Sequence, residues 1–93
     1  MSKYEVMLII SPQLDEAAVK SCLDGVKEAI AAEEGRVLAE DLWGRRRLAY
    51  PLKGFQEGFM ALLTFELGGQ KTKSLSRKLN LEESVLRYLL SGV

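Results

Sequence analysis

The chain has 93 residues, 47% of them hydrophobic and 28% charged, with thirteen cations balancing thirteen anions; this predicts one domain, residues 1–93, with a modest core, and neither a disordered segment nor a second domain. Histidine is absent and Cys22 is the only cysteine, which removes internal disulfides, cysteine metal clusters and the commonest general base. No stretch approaches the roughly 20 apolar residues that cross a bilayer, and Met1-Ser2-Lys3-Tyr4-Glu5 lacks the charged and apolar regions of a secretory signal, so the cytosol is the expected location.

Residues 3–10, Lys-Tyr-Glu-Val-Met-Leu-Ile-Ile, are aliphatic and β-branched and stop at Ser11-Pro12, which predicts a strand. From Asp15 to Glu34 the residues Val19, Leu23, Val26 and Ile30 recur as one stripe of an α-helix, with Gly35 placed to end it. Asp24, Glu28, Glu33 and Glu34 fall off that stripe and are expected on a solvated face. A second strand starts at Arg36 and runs toward Leu48, a turn follows over residues 51–58, and Gly58 to Leu67 reads as a third strand. Gly68-Gly69 breaks the pattern before a short helix over Lys71 to Asn80, and Val85 to Leu90 forms a fourth strand.

The order β-α-β-β-α-β predicts an α+β, ferredoxin-like split β-α-β fold: a four-stranded antiparallel sheet with both helices on one face and the first and third strands central. A sheet covered on one side should alternate apolar and polar residues. Here it does not. With Val6, Leu8 and Ile10 facing the helices, Met7 and Ile9 face away; with Ala61, Leu63 and Phe65 inward, Met60 and Leu62 lie outward. The outer face is therefore apolar, with Val85 and Leu89 expected to extend it and Arg87 beside them, and such a face calls for a covering partner.

The neutral total conceals a division. Residues 1–44 carry a net charge of −5 and residues 45–93 a net charge of +5, with Arg45, Arg46, Arg47 and Lys53 gathered in one stretch between Trp43 and Tyr50. Three consecutive arginines cannot all face one way on a strand, so some guanidinium groups must be free to fork onto phosphate oxygens. Trp43 and Tyr50 add flat faces on which an unpaired base stacks. The combination suits RNA better than a membrane, since no amphipathic helix accompanies it.

Rival uses of this fold fit less well. The loop Ser11-Pro12-Gln13-Leu14 has neither a glycine nor an arginine to cradle a phosphate, which weakens acyl phosphate hydrolysis. Tyr4, Phe59 and Phe65 fall in phase with the core, unlike the exposed aromatics of an RNA recognition motif. A ligand-regulated dimer of the same topology stays open but leaves the arginines unexplained, and an edge protected against aggregation needs only one or two charges.

Trp43-Gly44-Arg45-Arg46-Arg47-Leu48-Ala49-Tyr50-Pro51-Leu52-Lys53, with Tyr4-Glu5, Glu57-Gly58-Phe59 and Leu86-Arg87, closely resembles the family of ribosomal protein six of the bacterial small subunit over nearly the whole chain. The resemblance implies a structural, non-enzymatic protein without cofactor, metal or small-molecule substrate. It further implies binding to the central domain of small-subunit ribosomal RNA and pairing with ribosomal protein eighteen. By position, Arg45, Arg46, Arg47 and Tyr50 are the implied RNA contacts, with Lys53 and Arg87 secondary. The implied occupant of the outer face is protein eighteen, on Met7, Ile9, Trp43, Met60, Leu62 and Leu89. Ser2 and the ending Ser91-Gly92-Val93 lack the basic residues many members carry there, which places more weight on the central arginines.

Overall fold

In a computed structural model that describes residues 1–93, strand β1 (Ser2–Ile10) leads to helix α1 (Glu16–Ala32), and the long strands β2 (Arg36–Leu52) and β3 (Phe55–Leu67) form a hairpin. A single 3-10 turn (Gly69–Lys71) precedes helix α2 (Thr72–Leu81), and β4 (Val85–Gly92) ends the chain. The sheet order is β2-β3-β1-β4, antiparallel at every step, so β1 and β3 are central as the right-handed crossovers require. Asp15 caps α1 by accepting from the Ala18 N–H at 2.8 Å, satisfying one of the orphan donors of its first turn.

Both helices cover one face. Val6, Leu8 and Ile10 of β1 and Ala61, Leu63, Phe65 and Leu67 of β3 are buried beneath Leu23, Val26 and Ile30 of α1 and Leu75 and Leu79 of α2. Tyr4 stacks on Phe65 with ring centroids 5.9 Å apart, so the first aromatic residue belongs to the core.

Four expectations change. Val85 is 5% exposed and lies in the core, because the register with β1 slips between Ile9 and Ile10: Ile10 pairs with Val85 and Ile9 with Arg87. The extra residue, Leu86, reverses the facing of Val85 relative to Arg87 and Leu89. The predicted turn over residues 51–58 shrinks to Lys53-Gly54, whose φ values of 49° and 84° are those a two-residue hairpin turn needs; β3 accordingly starts at Phe55. Helix α1 closes through Glu34, which takes the left-handed φ of 63°. Gly35 is needed for room, since a Cβ there would lie 2.7 Å from the Glu66 carbonyl oxygen. Lastly, Glu33 is not on a free solvated face: it accepts from the Ser74 hydroxyl at 2.6 Å and lies 3.5 Å from Lys78, tying α1 to α2.

Candidate nucleic-acid interface

The hairpin of β2 and β3 outruns the rest of the sheet. Its register holds to Arg47 opposite Glu57 and resumes at Leu52 opposite Phe55, so residues 48–51 face only Gln56. Pro51 has no N–H for a ladder bond and drives Tyr50 toward extended backbone, which accounts for a wide bulge here. The bulge carries Tyr50 past the end of β1 to β4, where the Arg87 guanidinium donates to the Tyr50 hydroxyl. Beneath this arm runs a groove on the outer face, lined by Ile9, Leu48, Tyr50, Met60, Arg87 and Leu89 among others.

The register separates the three arginines. Arg45 pairs with Phe59, on the core side, and Arg46 with Gly58, on the outer side. Arg45 is engaged within the chain: Nη1 donates to Glu57 Oε2 at 3.1 Å, Nη2 donates to the Pro12 carbonyl at 2.8 Å, and the guanidinium sits 5.2 Å from the Phe59 ring centroid. Arg46 donates only through Nε, to the Trp43 carbonyl at 3.1 Å. Arg47 and Lys53 enter none of the chain's ion pairs or side-chain hydrogen bonds. The forked ends of Arg46 and Arg47, and the ammonium at the hairpin tip, are thus the arm's free cations.

The six residues expected on the partner face come together. Met7 pairs with Leu62 and Leu89, and Ile9 with Met60, all on the side away from the helices. Leu89 is 55% exposed, while Met7, Ile9, Met60 and Leu62 are half-buried. Trp43 joins this side: its indole N–H donates to Asp41 at 3.0 Å, and Asp41 pairs with Leu62. A register slip between Leu42 and Gly44, with Gly44 at φ 74°, turns the strand at that point.

Other chemistry finds little support. Burial, and secondarily the negative charge of Glu82, push the Cys22 thiol up to about 11, so at neutral pH it is a small apolar side chain and not a nucleophile. In the loop after β1, Ser11 Oγ accepts from the Gln13 N–H at 3.3 Å and the Pro12 carbonyl accepts from Arg45; the arginine closes this loop and opens no phosphate cradle. No group of three or more acids or thiols is placed to hold a metal ion, and no helix is long and apolar enough to cross a membrane. Sequence reasoning missed the engagement of Arg45 with Pro12 and the link from Tyr50 to Arg87. Both join residues more than thirty positions apart, and only the alternation of the arginines hinted at them.

Residues 3–91 match the profile of the family described as "Ribosomal protein S6". The chain is 44% identical over 87 residues to the small ribosomal subunit protein bS6 of Corynebacterium aurimucosum, which covers 94% of this chain and 91% of that one. It is 38% identical over 91 residues to the protein of the same name from Dictyoglomus turgidum, covering 98% and 94%. The crystal structure of 30S ribosomal protein S6 from Thermotoga maritima superposes with a TM-score of 0.94 at 26% identity, over 99% of this chain and 87% of that one.

Proposed function

The chain belongs to the ribosomal protein S6 family and is a structural component of the small ribosomal subunit, not an enzyme, and from that premise we propose how it assembles there. It binds the central domain of small-subunit ribosomal RNA through Arg46, Arg47, Lys53 and Arg87, with Arg45 and Tyr50 holding the arm in shape and lending their remaining donors. Ribosomal protein eighteen covers the outer face at Met7, Ile9, Trp43, Met60, Leu62 and Leu89. One observation carries this reading: Arg47 of the arm and Arg87 of β4 line the same apolar groove on the outer face, so a phosphate backbone and an apolar partner are received side by side.

The work is electrostatic and steric. Phosphate contacts fix the position of the protein on the RNA, and burial of the outer face in protein eighteen joins the two proteins into one binding surface. Four cations that each displace a counterion give a slope of about −3 for the logarithm of affinity against the logarithm of salt.

An electrophoretic shift assay on central-domain ribosomal RNA, with and without protein eighteen, tests the reading. Arg46→Glu/Arg47→Glu should lose binding while unfolding as the wild type does, and full affinity in that variant overturns the assignment. Met60→Glu or Ile9→Glu should weaken association with protein eighteen more than folding. Equal losses of both would return those residues to the core.

A further inference from the structure

The arm accounts for only part of the positive charge in the second half of the chain. From Gly68 to Leu81 there are four cations and no acid. Two of the four have partners: Lys71 and Lys78 lie 3.7 and 3.5 Å from the Glu33 carboxylate. Lys73 and Arg77 have none. They stand four residues apart on α2, both exposed, where like charges oppose the helix that carries them. Fold and core do not explain them.

Their place in the molecule does. Lys73, Ser76, Arg77 and Asn80 line one hollow with Leu90 of β4, and Asn80 also lines the next hollow, with Lys53, Arg87 and Tyr88. The two hollows share Asn80, so the cations of the arm and of α2 form one track over the free edge of β4. The Tyr88 hydroxyl fixes the junction, lying 2.9 Å from Asn80 Oδ1 and 3.2 Å from the Ser76 carbonyl. With Asn80 Oδ1 accepting, its amide N–H groups point to no acceptor in the chain and are left as donors for an anion.

We propose that the ribosomal RNA path begun on the arm continues over the edge of β4 onto α2, where Lys73, Arg77 and Asn80 receive the phosphodiester backbone. This rests on the reading of the arm as an RNA-binding element and extends it to a second element on the helical side of the sheet. A rise of about 6 Å between Lys73 and Arg77 along the helix is comparable to the separation of successive phosphates on a strand. An acidic protein segment would satisfy the charges as well, but continuity with the arm favours the RNA, and an acidic partner would leave RNA affinity unchanged in the variants below.

The test titrates central-domain ribosomal RNA with protein eighteen present, at several salt concentrations. Lys73→Glu/Arg77→Glu should bind at least tenfold more weakly, and Lys73→Gln/Arg77→Gln should show a salt slope shallower by about 2, one for each phosphate no longer neutralised. Neither variant should unfold below the wild-type midpoint by more than a degree or two, since neither side chain has a partner within the chain, and the glutamine pair, freed of the like-charge repulsion, should unfold at or slightly above it. Wild-type affinity and slope in both variants, alongside abolished binding in Arg46→Glu/Arg47→Glu, would overturn the path over α2 and leave the arm reading standing. Weak binding by the α2 variants with full binding by the arm variant would do the reverse.

Discussion

The two faces of the sheet are built from the same strands and nearly the same residue types, yet they end in different states. On the inner face Val6, Leu8, Ile10, Leu63 and Phe65 are fully buried; on the outer face Met7, Ile9, Met60 and Leu62, their immediate neighbours in sequence, are half-buried. Composition does not separate the faces; the placement of the helices does. A strand with no polar alternation has two apolar faces, and the fold seals one. The other is left partly open to solvent, with Leu89 exposed upon it.

Truncation should break the symmetry of that pairing most sharply. Phe65→Ala, deep under the helices, should cost about 3–5 kcal/mol, while Leu62→Ala on the outer face should cost about 1 kcal/mol. Urea unfolding of the free protein measures both. The order should invert for association with ribosomal protein eighteen, where Leu62→Ala weakens binding. Equal costs in the free protein would mean that the outer face is a second core.

A comparison of added volume is finer. Gly35 abuts the inner layer, where a Cβ would lie 2.7 Å from the Glu66 carbonyl oxygen and 2.8 Å from Ile30. Gly58 abuts the outer layer, where its Cβ would lie 2.8 Å from the γ-methyl of Ile9 and 3.1 Å from the Ile10 carbonyl oxygen. At Gly35 a backbone oxygen and the sealed side chains of Ile30 and Leu67 all lie within 2.9 Å, whereas at Gly58 the backbone oxygen is farther off and the one closer atom belongs to a half-buried side chain with room to shift. Gly35→Ala should therefore destabilise by about 2–3 kcal/mol and Gly58→Ala by about 1 kcal/mol, read from the same denaturant titrations.

What was legible in the sequence follows the same division. The order of elements, the helical stripe of Val19, Leu23, Val26 and Ile30, and the alternate facing of Val6, Leu8 and Ile10 follow from local periodicity and hydrophobic burial, and the structure has them so. The outward facing of Met7, Ile9, Met60 and Leu62 was legible because the same alternation, continued, leaves them outside, whereas Trp43 stands at a register slip that alternation does not foresee. Val85 was not, since one bulged residue in β4 reverses facing without a signal in composition. The hairpin turn was misplaced because Pro51 draws attention as a breaker, while the turn itself needs only two residues with positive φ, supplied by Lys53-Gly54. The engagement of Arg45 and the track from Arg87 to Arg77 depend on which distant elements meet, which periodicity does not encode.

The layer that seals the inner face has a polar tie of its own, and pH tests it. The hydrogen bond from Ser74 foremost, then Lys78 and Lys71, hold the Glu33 carboxyl below its ordinary value of 4.5, against partial burial that acts the other way. A carboxylate with a depressed folded pKa stabilises the fold above its unfolded pKa, and that stabilisation is lost as pH falls through the folded value. Wild type should therefore exceed Glu33→Gln in Tm at pH 7, and the gap should narrow below pH 4.5 and close beneath the folded value. A gap of constant size across that range would assign the effect to packing. The tie is partly exposed, so its contribution is small beside that of Phe65.

The smallest effect on stability belongs to the outer face. Tyr50 is 56% exposed, and its hydroxyl accepts from Arg87 in contact with water. Tyr50→Phe should change the free energy of unfolding by no more than about 0.5 kcal/mol, since exposed pairs of this kind contribute little. Its consequence should appear in binding. With the hydroxyl gone, Arg87 is no longer held at the rim of the groove and must be ordered when RNA arrives, which should weaken RNA affinity about threefold. Arg87→Ala removes the charge as well and should weaken it further, with a shallower salt slope that Tyr50→Phe does not share. A loss for Tyr50→Phe as large as for Arg87→Ala would mean that the phenol itself meets the RNA. A modest loss would make Tyr50 the positioning residue of the arm: the inner face holds its side chains by burial, whereas on the outer face Arg87 rests against a single hydroxyl.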